Sequence, residues 1–311
     1  MPGAAPDFLV IGHVVQDLLP TASNEPGLSA KTPAEDPTRK SEWRLGGAAA
    51  YASLLARNFG LRTAVLTSCA DDLPLAELLP DIDARVVPAA ATTQMRNVYS
   101  GPDSRRTQRV PQRAAGLTPG DLPAEWRDAR IVLLGPVAGE VNPALAAAFS
   151  PETLIGAGAQ GWLREIGADE VVRPVPHDRW DAAPLLSHVR ALFLSDEDLT
   201  PEDAPAALAE WSALVGVLAF TRGYAGADVW GGRPDGQEWR RIDAFAAEPT
   251  DLTGAGDVFA AAFLIRYAET NDPWEAARWG AAAASLVIEG PGVEGVPTRE
   301  AVERRLDAVN G

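Results

Sequence analysis

Short apolar segments alternate with alanine-rich segments of helical length along most of the 311-residue chain. The pattern predicts a buried strand at residues 7–12, a helix at 48–59 that follows two glycines, and a second strand at 62–68. The alternation continues in further predicted strands and helices: residues 130–134, 144–149, 191–194, 205–214, 214–220, 258–267 and 273–288. This order predicts a doubly wound α/β fold, with a mostly parallel sheet flanked by helices, and a single domain over residues 1–311.

Two early segments do not fit the alternation. We expect them to form a small β-rich lid with approximate bounds 18–44 and 84–113, inserted within the domain. Such a lid would be a mobile cover over a binding site, or alternatively a fixed sheet through which two copies form a homodimer. Four arginines of the second segment are interpreted as a solvated hairpin face rather than a nucleic-acid patch: Arg105, Arg106, Arg109 and Arg113.

Composition and charge argue against several classes of partner and site. The chain has 27 Lys and Arg against 43 Asp and Glu, a formal net charge of −16, which disfavours binding to nucleic acid or to an anionic membrane surface. The single cysteine, Cys69, excludes an intrachain disulfide and a cysteine-built zinc site. The longest run without a charged residue, residues 45–56, has twelve residues, well short of a membrane span of about 20 residues. We therefore expect a cytoplasmic protein.

The run Gly254-Ala255-Gly256-Asp257 contains the clearest chemical signal, because eight apolar residues of helical character follow it directly. A glycine loop at the N-terminus of a helix presents unpaired N–H groups and partial positive charge, which favour a bound phosphate. Asp257 has two interpretations. It is either an ordinary N-cap of the helix or a carboxylate with a chemical task, such as accepting a proton from an attacking hydroxyl.

Residues 251–257 closely resemble the C-terminal signature of the ribokinase-like (PfkB) carbohydrate kinase family. Other segments resemble the family in the same order along the chain: residues 12–17, 46–60, 193–198 and 220–226. The resemblance covers residues 8–306. It implies a ribokinase-like fold and an enzyme that transfers the γ-phosphoryl group of ATP to a hydroxyl of a sugar or polyol.

The resemblance also implies roles in the transfer itself. Asp257 would be the general base that takes the proton from the acceptor hydroxyl. Three backbone N–H groups would form the anion hole for the phosphoryl oxygens: those of Gly254, Ala255 and Gly256. Two residues of the turn after a predicted strand, Thr221 and Gly223, would line the phosphate or ribose side of ATP.

The acceptor and cation residues are implied in the same way. Four residues would bind the sugar or polyol: Asp17, Gly46, Gly47 and Tyr51. Mg²⁺ would arrive with ATP and contact Asp198 through water. In some family members a monovalent cation such as K⁺ lies beneath the anion hole, at the positions that Asp251 and Thr253 match. Taken alone, Asp17 could be a turn residue, and Gly46 and Gly47 could be no more than a tight start to the helix.

The sequence departs from the family pattern at three places. Tyr51 replaces a frequent asparagine, which alters a sugar-hydroxyl contact. Ser195 and Asp198 stand where asparagine and glutamate are usual, which puts the metal geometry in question. Arg222 lies inside a turn where an apolar residue is common, as either a solvated loop arginine or a phosphate contact.

The acceptor is left open. Residues 45–51 and 159–161 are most similar to family members that act on inositol-like polyols, while nucleoside and vitamin kinases share the Gly-Ala-Gly-Asp element. Two functions of other classes also remain: an ATP-independent glycosidase or lyase on the same fold, and a non-catalytic sugar-binding protein.

Overall fold

The computed structural model describes residues 4–19, 42–100, 105–232 and 236–310. The strands in these ranges are β1 Phe8–Ile11, β2 Val15–Leu18, β3 Trp43–Gly46, β4 Thr63–Cys69, β5 Asp83–Pro88, β6 Thr93–Ser100, β7 Arg105–Gln112, β8 Ile131–Leu134, β9 Leu154–Gly158, β10 Arg164–Ile166, β11 Val172–Pro174, β12 Ala191–Ser195, β13 Val217–Thr221, β14 Ala227–Gly231 and β15 Glu238–Ile242. The helices are α1 Ala48–Asn58, α2 Leu75–Leu78, α3 Ala183–Leu186, α4 Ala204–Ser212, α5 Ala255–Thr270, α6 Pro273–Val287 and α7 Arg299–Asn310. None of the helices within the described ranges is long and apolar enough to cross a membrane.

A nine-stranded sheet forms the centre of the fold, in the order β15-β14-β13-β12-β9-β8-β1-β4-β5. The seven strands from β13 to β5 are parallel, and β14 and β15 extend the sheet antiparallel at one side. The predicted mostly parallel α/β sheet is therefore confirmed. Because the parallel strands share a direction, the loops that follow them lie at one edge of the sheet, where α/β proteins bind ligands.

Alternate residues of the central strands face two separate hydrophobic layers. Phe8 and Val10 pack with α1, α5 and α6, whereas Leu9 and Ile11 pack with the opposite layer, which includes Trp211 of α4. All four residues of β1 are fully buried, as expected for a strand covered by helices on both faces. This two-sided burial explains why the strand has a continuous apolar sequence.

A second sheet has four strands in the order β3-β2-β6-β7, with β2 and β6 parallel and the other pairs antiparallel. The predicted start of the second lid segment is wrong, because residues 83–88 form β5 at the edge of the large sheet. The exposed face of this edge strand gives it the polar character that suggested a lid. Residues 20–41 and 101–104 of the expected lid lie outside the described residues.

The hairpin of β10 and β11 extends from the large sheet to the small one. Its two strands pair antiparallel. The N–H of Val110 in β7 donates to the carbonyl of Glu170 at 2.9 Å. The backbones of Arg109 and Val171 form an isolated antiparallel β-bridge. The hairpin therefore packs against the last strand of the small sheet, close to the edge where the parallel strands end.

The packing predicts that truncation of Phe263 in α5 destabilises the fold strongly. Its ring is fully buried, with centroids 5.3 Å from Phe193 and 5.7 Å from Tyr267. Phe263→Ala should lower the free energy of unfolding by about 3–5 kcal/mol in denaturant titrations, because it removes contacts and leaves a cavity. Leu214→Ala is the control, since Leu214 is 41% exposed, and should change stability by about 0.5 kcal/mol or less. Equal effects of the two substitutions would contradict this packing.

Candidate active site

Helix α5 begins at the glycine loop, with Gly254 as its N-cap at φ 79°. The N–H of Val258 donates to the Gly254 carbonyl at 2.9 Å, so Asp257 lies inside the first turn. The interpretation of Asp257 as the N-cap is therefore wrong. The N–H groups of the first turn have no acceptor within the helix, and a Cβ added at Gly256 would meet no atom within 4 Å. Open space next to these donors fits a phosphoryl group.

The ring of Tyr51 in α1 packs directly against Gly254 of this loop. A Cβ at position 254 would overlap the ring, so both the positive φ and the close approach require glycine. Tyr51 is 1% exposed, and its burial together with the charges of Asp251, Asp17 and Asp257 raises its pKa well above the usual range. Its hydroxyl therefore stays neutral. Tyr51 packs against the loop at Gly254, and its contact with an acceptor stays a prediction.

Asp251 stabilises the start of the same loop through hydrogen bonds and an ion pair. Its carboxylate accepts hydrogen bonds from the N–H of Thr253 at 3.0 Å and the N–H of Gly292 at 3.2 Å, and it pairs with Arg44 at 3.3 Å. Burial acts to raise the pKa of Asp251, but these hydrogen bonds and the Arg44 charge hold it below its usual value. The donors around Asp251 do not fit a bound K⁺, so the monovalent-cation role of Asp251 and Thr253 stays a prediction that these contacts do not favour.

Asp257 is partly buried and faces three charged side chains. Burial raises the pKa of Asp257 to about 7, and the negative charges of Asp17 and Asp198 act in the same direction, while the positive charge of Arg164 opposes them. A carboxyl group with this pKa exists in both protonation states near neutral pH. It can therefore accept and return a proton, as a general base must.

Asp17 comes from the small sheet, in β2, and not from the end of the first strand. Its carboxylate lies directly over Gly46 of β3, where any Cβ would overlap it. The negative charge of Asp17 contributes to the raised pKa of Asp257, so the two carboxyl groups are close enough to interact electrostatically. Gly47, at φ 84°, then begins α1. The structure thus brings the predicted acceptor residues Asp17, Gly46 and Gly47 to the N-terminus of α5.

Asp198 follows β12 and is 6% exposed. Its Oδ2 accepts from the backbone N–H of Ser195 at 2.8 Å and from the Ser195 hydroxyl at 2.9 Å. Oδ1 is buried and has no hydrogen-bond partner among the described residues. An unpaired buried carboxylate oxygen fits a metal-bound water, in agreement with the predicted indirect contact to Mg²⁺. The described ranges contain no cluster of three or more His, Cys, Asp or Glu suited to a metal ion.

The turn after β13 lies next to Asp198, because Thr221 pairs with Ser195 in the sheet register. Gly223 has φ 50° and open space around its Cα. Arg222 forms an ion pair with Asp228 at 2.6 Å and lies over the Phe220 ring at 5.0 Å. These contacts suit a solvated loop arginine, and a contact of Arg222 or its neighbours with donor phosphates stays a prediction.

Glu140 is a structural residue of the site that the sequence pattern did not reveal. Its buried carboxylate accepts hydrogen bonds from the N–H groups of His13 at 3.0 Å, Val137 at 3.0 Å and Ala138 at 2.7 Å. It thereby ties the loop after β1 to the loop after β8. The signal available in the sequence is a single charge in an otherwise apolar loop, at residues 135–141.

Arg164 is a second residue near the site that the sequence pattern did not reveal. It begins β10, donates to the Val137 carbonyl at 3.4 Å, and is the positive charge that acts on Asp257. Its position six residues after a buried strand is not distinctive in the sequence. Only the fold of the β10–β11 hairpin brings it back to the site.

Comparisons with known proteins agree with this arrangement. Residues 186–299 match the model of the pfkB family carbohydrate kinases. Ribokinase of Bacillus subtilis (strain 168) is 47% identical over 66 residues, which are 21% of this chain and 22% of that protein. The match thus covers about a fifth of the curated relative.

Solved structures extend the likeness to nearly the whole chain. A pyrophosphate-dependent kinase in the ribokinase family, complexed with a pyrophosphate analog and myo-inositol, has a TM-score of 0.73 and 20% identity, covering 97% of this chain and 99% of that one. Arabidopsis thaliana ribokinase complexed with ribose and ATP has a TM-score of 0.68 and 22% identity, with 97% and 99% covered. The ribokinase-like fold and the resemblance to the PfkB family are confirmed.

The contact between Gly254 and Tyr51 predicts unequal effects of alanine at two neighbouring glycines. Gly254→Ala should lower the free energy of unfolding by about 1–3 kcal/mol in thermal or denaturant unfolding, because it adds a clash and a strained backbone. Gly256→Ala is the matched control: it is two residues away, inside the helix and in open space. It should be neutral or stabilising by up to about 1 kcal/mol. Equal stability of the two variants would contradict the described packing.

The raised pKa of Asp257 predicts a pH-dependent difference between the wild type and Asp257→Asn. Between about pH 4 and 7 the unfolded carboxyl ionises while the folded one keeps its proton, so this group lowers stability as the pH rises. The asparagine variant lacks this loss and should gain stability relative to wild type by about 2–4 kcal/mol over that interval. Urea titrations of both proteins at pH 4, 5.5, 7 and 8 measure it. A stability difference between the two proteins that does not change with pH would contradict the raised pKa of Asp257.

Proposed function

We propose that this protein is a kinase that transfers the γ-phosphoryl group of ATP to a hydroxyl of a sugar or polyol. The observation that carries the proposal is Asp257, a carboxyl group with a pKa of about 7 in the first turn of α5, beside the N–H donors of the glycine loop. A proton acceptor next to an anion-binding helix N-terminus is what phosphoryl transfer to an alcohol requires.

This geometry supports a direct transfer from the donor to the acceptor. The acceptor oxygen attacks the terminal phosphorus as its proton passes to an Asp257 carboxylate oxygen, and the bond from phosphorus to the leaving oxygen breaks. The N–H groups of Gly254, Ala255 and Gly256 stabilise the charge on the transferred phosphoryl oxygens, because they are held in place before the reaction begins. Asp17 accepts hydrogen bonds from neighbouring hydroxyls of the acceptor and so sets its orientation.

Mg²⁺ would be held on the donor side by the phosphates and, through water, by Oδ1 of Asp198. When bound there it supplies positive charge that offsets the charge of the phosphates. This arrangement agrees with a buried Asp198 whose second oxygen is already fixed by Ser195. Thr221 and Gly223 would lie on the same side, along the phosphates of the donor.

The second candidate function is the same phosphoryl transfer with pyrophosphate instead of ATP as the donor. Pyrophosphate-dependent kinases in the ribokinase family are among the structures similar to this chain, and one of them was solved with a pyrophosphate analog and myo-inositol. A ribokinase of the same fold was solved with ATP. The loop at α5 recognises a terminal phosphoryl group, which both donors have, so each should be assayed with the same set of acceptors.

The small sheet would act as a lid over the acceptor. Because β2 supplies Asp17, movement of this sheet would open and close the acceptor side and exclude water during the transfer. The alternative, a homodimer formed through the same sheet, is separated from a lid by measuring the mass in solution with and without acceptor.

Loss of the proton acceptor predicts a large kinetic defect. Asp257→Asn should lower kcat about 10²–10⁴-fold and leave donor binding nearly unchanged, because a single proton-transfer group is removed. The measurement is donor consumption across polyols, pentoses, hexoses and nucleosides, with ATP or pyrophosphate. Asp83→Asn, an exposed change at the start of β5, is the control. Turnover by Asp257→Asn within about threefold of wild type would exclude Asp257 as the base, and cleavage of a sugar without any donor would favour the glycosidase alternative.

A further inference from the structure

A cavity of about 410 Å³ has a wall rich in arginine, and one of these arginines, Arg164, also acts electrostatically on Asp257. The charged residues that line it are Arg113, Arg164, Arg179 and Glu165. Their formal charges sum to +2, in a chain whose total is −16. A local positive excess of this kind in an acidic protein favours a negatively charged ligand.

The position of the cavity relates it to the acceptor. Arg113 directly follows the last strand of the small sheet, Ala138 and Gly139 follow β8, and the remaining wall comes from the β10–β11 hairpin and the chain after it. These elements follow β7, β8 and β9 in the chain, whereas the proposed donor residues follow β12 and β13. The cavity wall and the proposed donor residues therefore follow different strands of the two sheets.

Arg164 connects this cavity to the reaction centre. It lines the cavity and also acts electrostatically on Asp257. Arg179 and Glu165 form a loose pair at 3.8 Å, with side chains 64% and 59% exposed, so this pair leaves the Arg179 guanidinium accessible to a ligand. Guanidinium groups bind phosphate and carboxylate in paired hydrogen bonds, which orient the ligand as well as hold it.

We propose that this cavity binds an anionic group, a phosphate or a carboxylate, carried by the phosphoryl acceptor. The acceptor class would then be phosphorylated sugars or polyols and sugar acids rather than neutral ones. This inference rests on the proposed kinase function. An anion held by Arg113, Arg164 and Arg179 would fix one end of the acceptor and leave a hydroxyl at its other end near Asp257.

The test compares acceptors that differ by one anionic group: D-ribose with ribose 5-phosphate, myo-inositol with its 1-phosphate, and D-glucose with D-gluconate. The variants are Arg113→Gln and Arg179→Gln, because Arg164 also acts on the proposed base. Arg173→Gln is the matched control, since Arg173 lies in the same hairpin, pairs with Asp169 at 2.5 Å and does not line the cavity. The readouts are KM for the acceptor and, separately, KM for the donor.

We expect at least one anionic acceptor to have the lower KM. Each variant should raise that KM about tenfold or more, the loss of one charge-assisted hydrogen bond. The donor KM should stay within about twofold in each variant, and the control should change neither value. Higher salt should also raise the KM of the anionic acceptor, because partly exposed charges are screened.

Three results would overturn the inference or separate it from the kinase proposal. Neutral and anionic acceptors used equally well, with no effect of the variants, would overturn the inference and leave the kinase intact. A rise in donor KM alone would assign the cavity to donor phosphates, which also overturns it. If no acceptor is phosphorylated, the kinase proposal fails, and calorimetry with ribose 5-phosphate decides the site. Binding weakened by Arg113→Gln supports an anion site, and no binding overturns it.

Discussion

The environment of Asp257 is the constraint on which the site depends. A helix N-terminus attracts negative charge, yet burial in the same place penalises an ionised carboxyl group. Here burial prevails and raises the pKa of Asp257 to about 7, helped by Asp17 and Asp198 and opposed by Arg164. The result is a carboxyl group that changes its protonation state near neutral pH, beside N–H groups that remain available to a phosphate. The proposed phosphoryl transfer needs both properties together.

Rigid support of the surrounding loops keeps these groups in place. Tyr51 fills the space under Gly254, Asp251 binds the loop to Arg44 and to the N–H of Gly292, and Glu140 joins the loops after β1 and β8. Each support is a side chain on one element that fixes the backbone of another. Because loops that carry chemistry are otherwise the least stable parts of a fold, such contacts reduce the reorganisation needed when substrates bind.

The fold and the centre of the site could be predicted from the sequence because both rest on local patterns. The alternation of apolar strands with alanine-rich helices predicts the parallel sheet, and the glycine run before eight apolar residues predicts the N-terminus of α5. Features that depend on tertiary packing could not be read in this way. The polar sequence of β5 reflects its place at the sheet edge, and the burial of Tyr51 depends on the later loop at Gly254. Arg164 reaches Asp257 only because a hairpin folds back over the sheet.

The most direct test of this account is the titration of Asp257 itself. ¹³C NMR of the aspartate carboxyl groups across pH 3–9 follows its protonation, and the spectrum of Asp257→Asn identifies its signal. Burial of this carboxyl group predicts a midpoint near pH 7 in the free protein. A midpoint near 4, the value of an ordinary exposed aspartate, would show that burial does not control this carboxyl group and would contradict its assignment as the base.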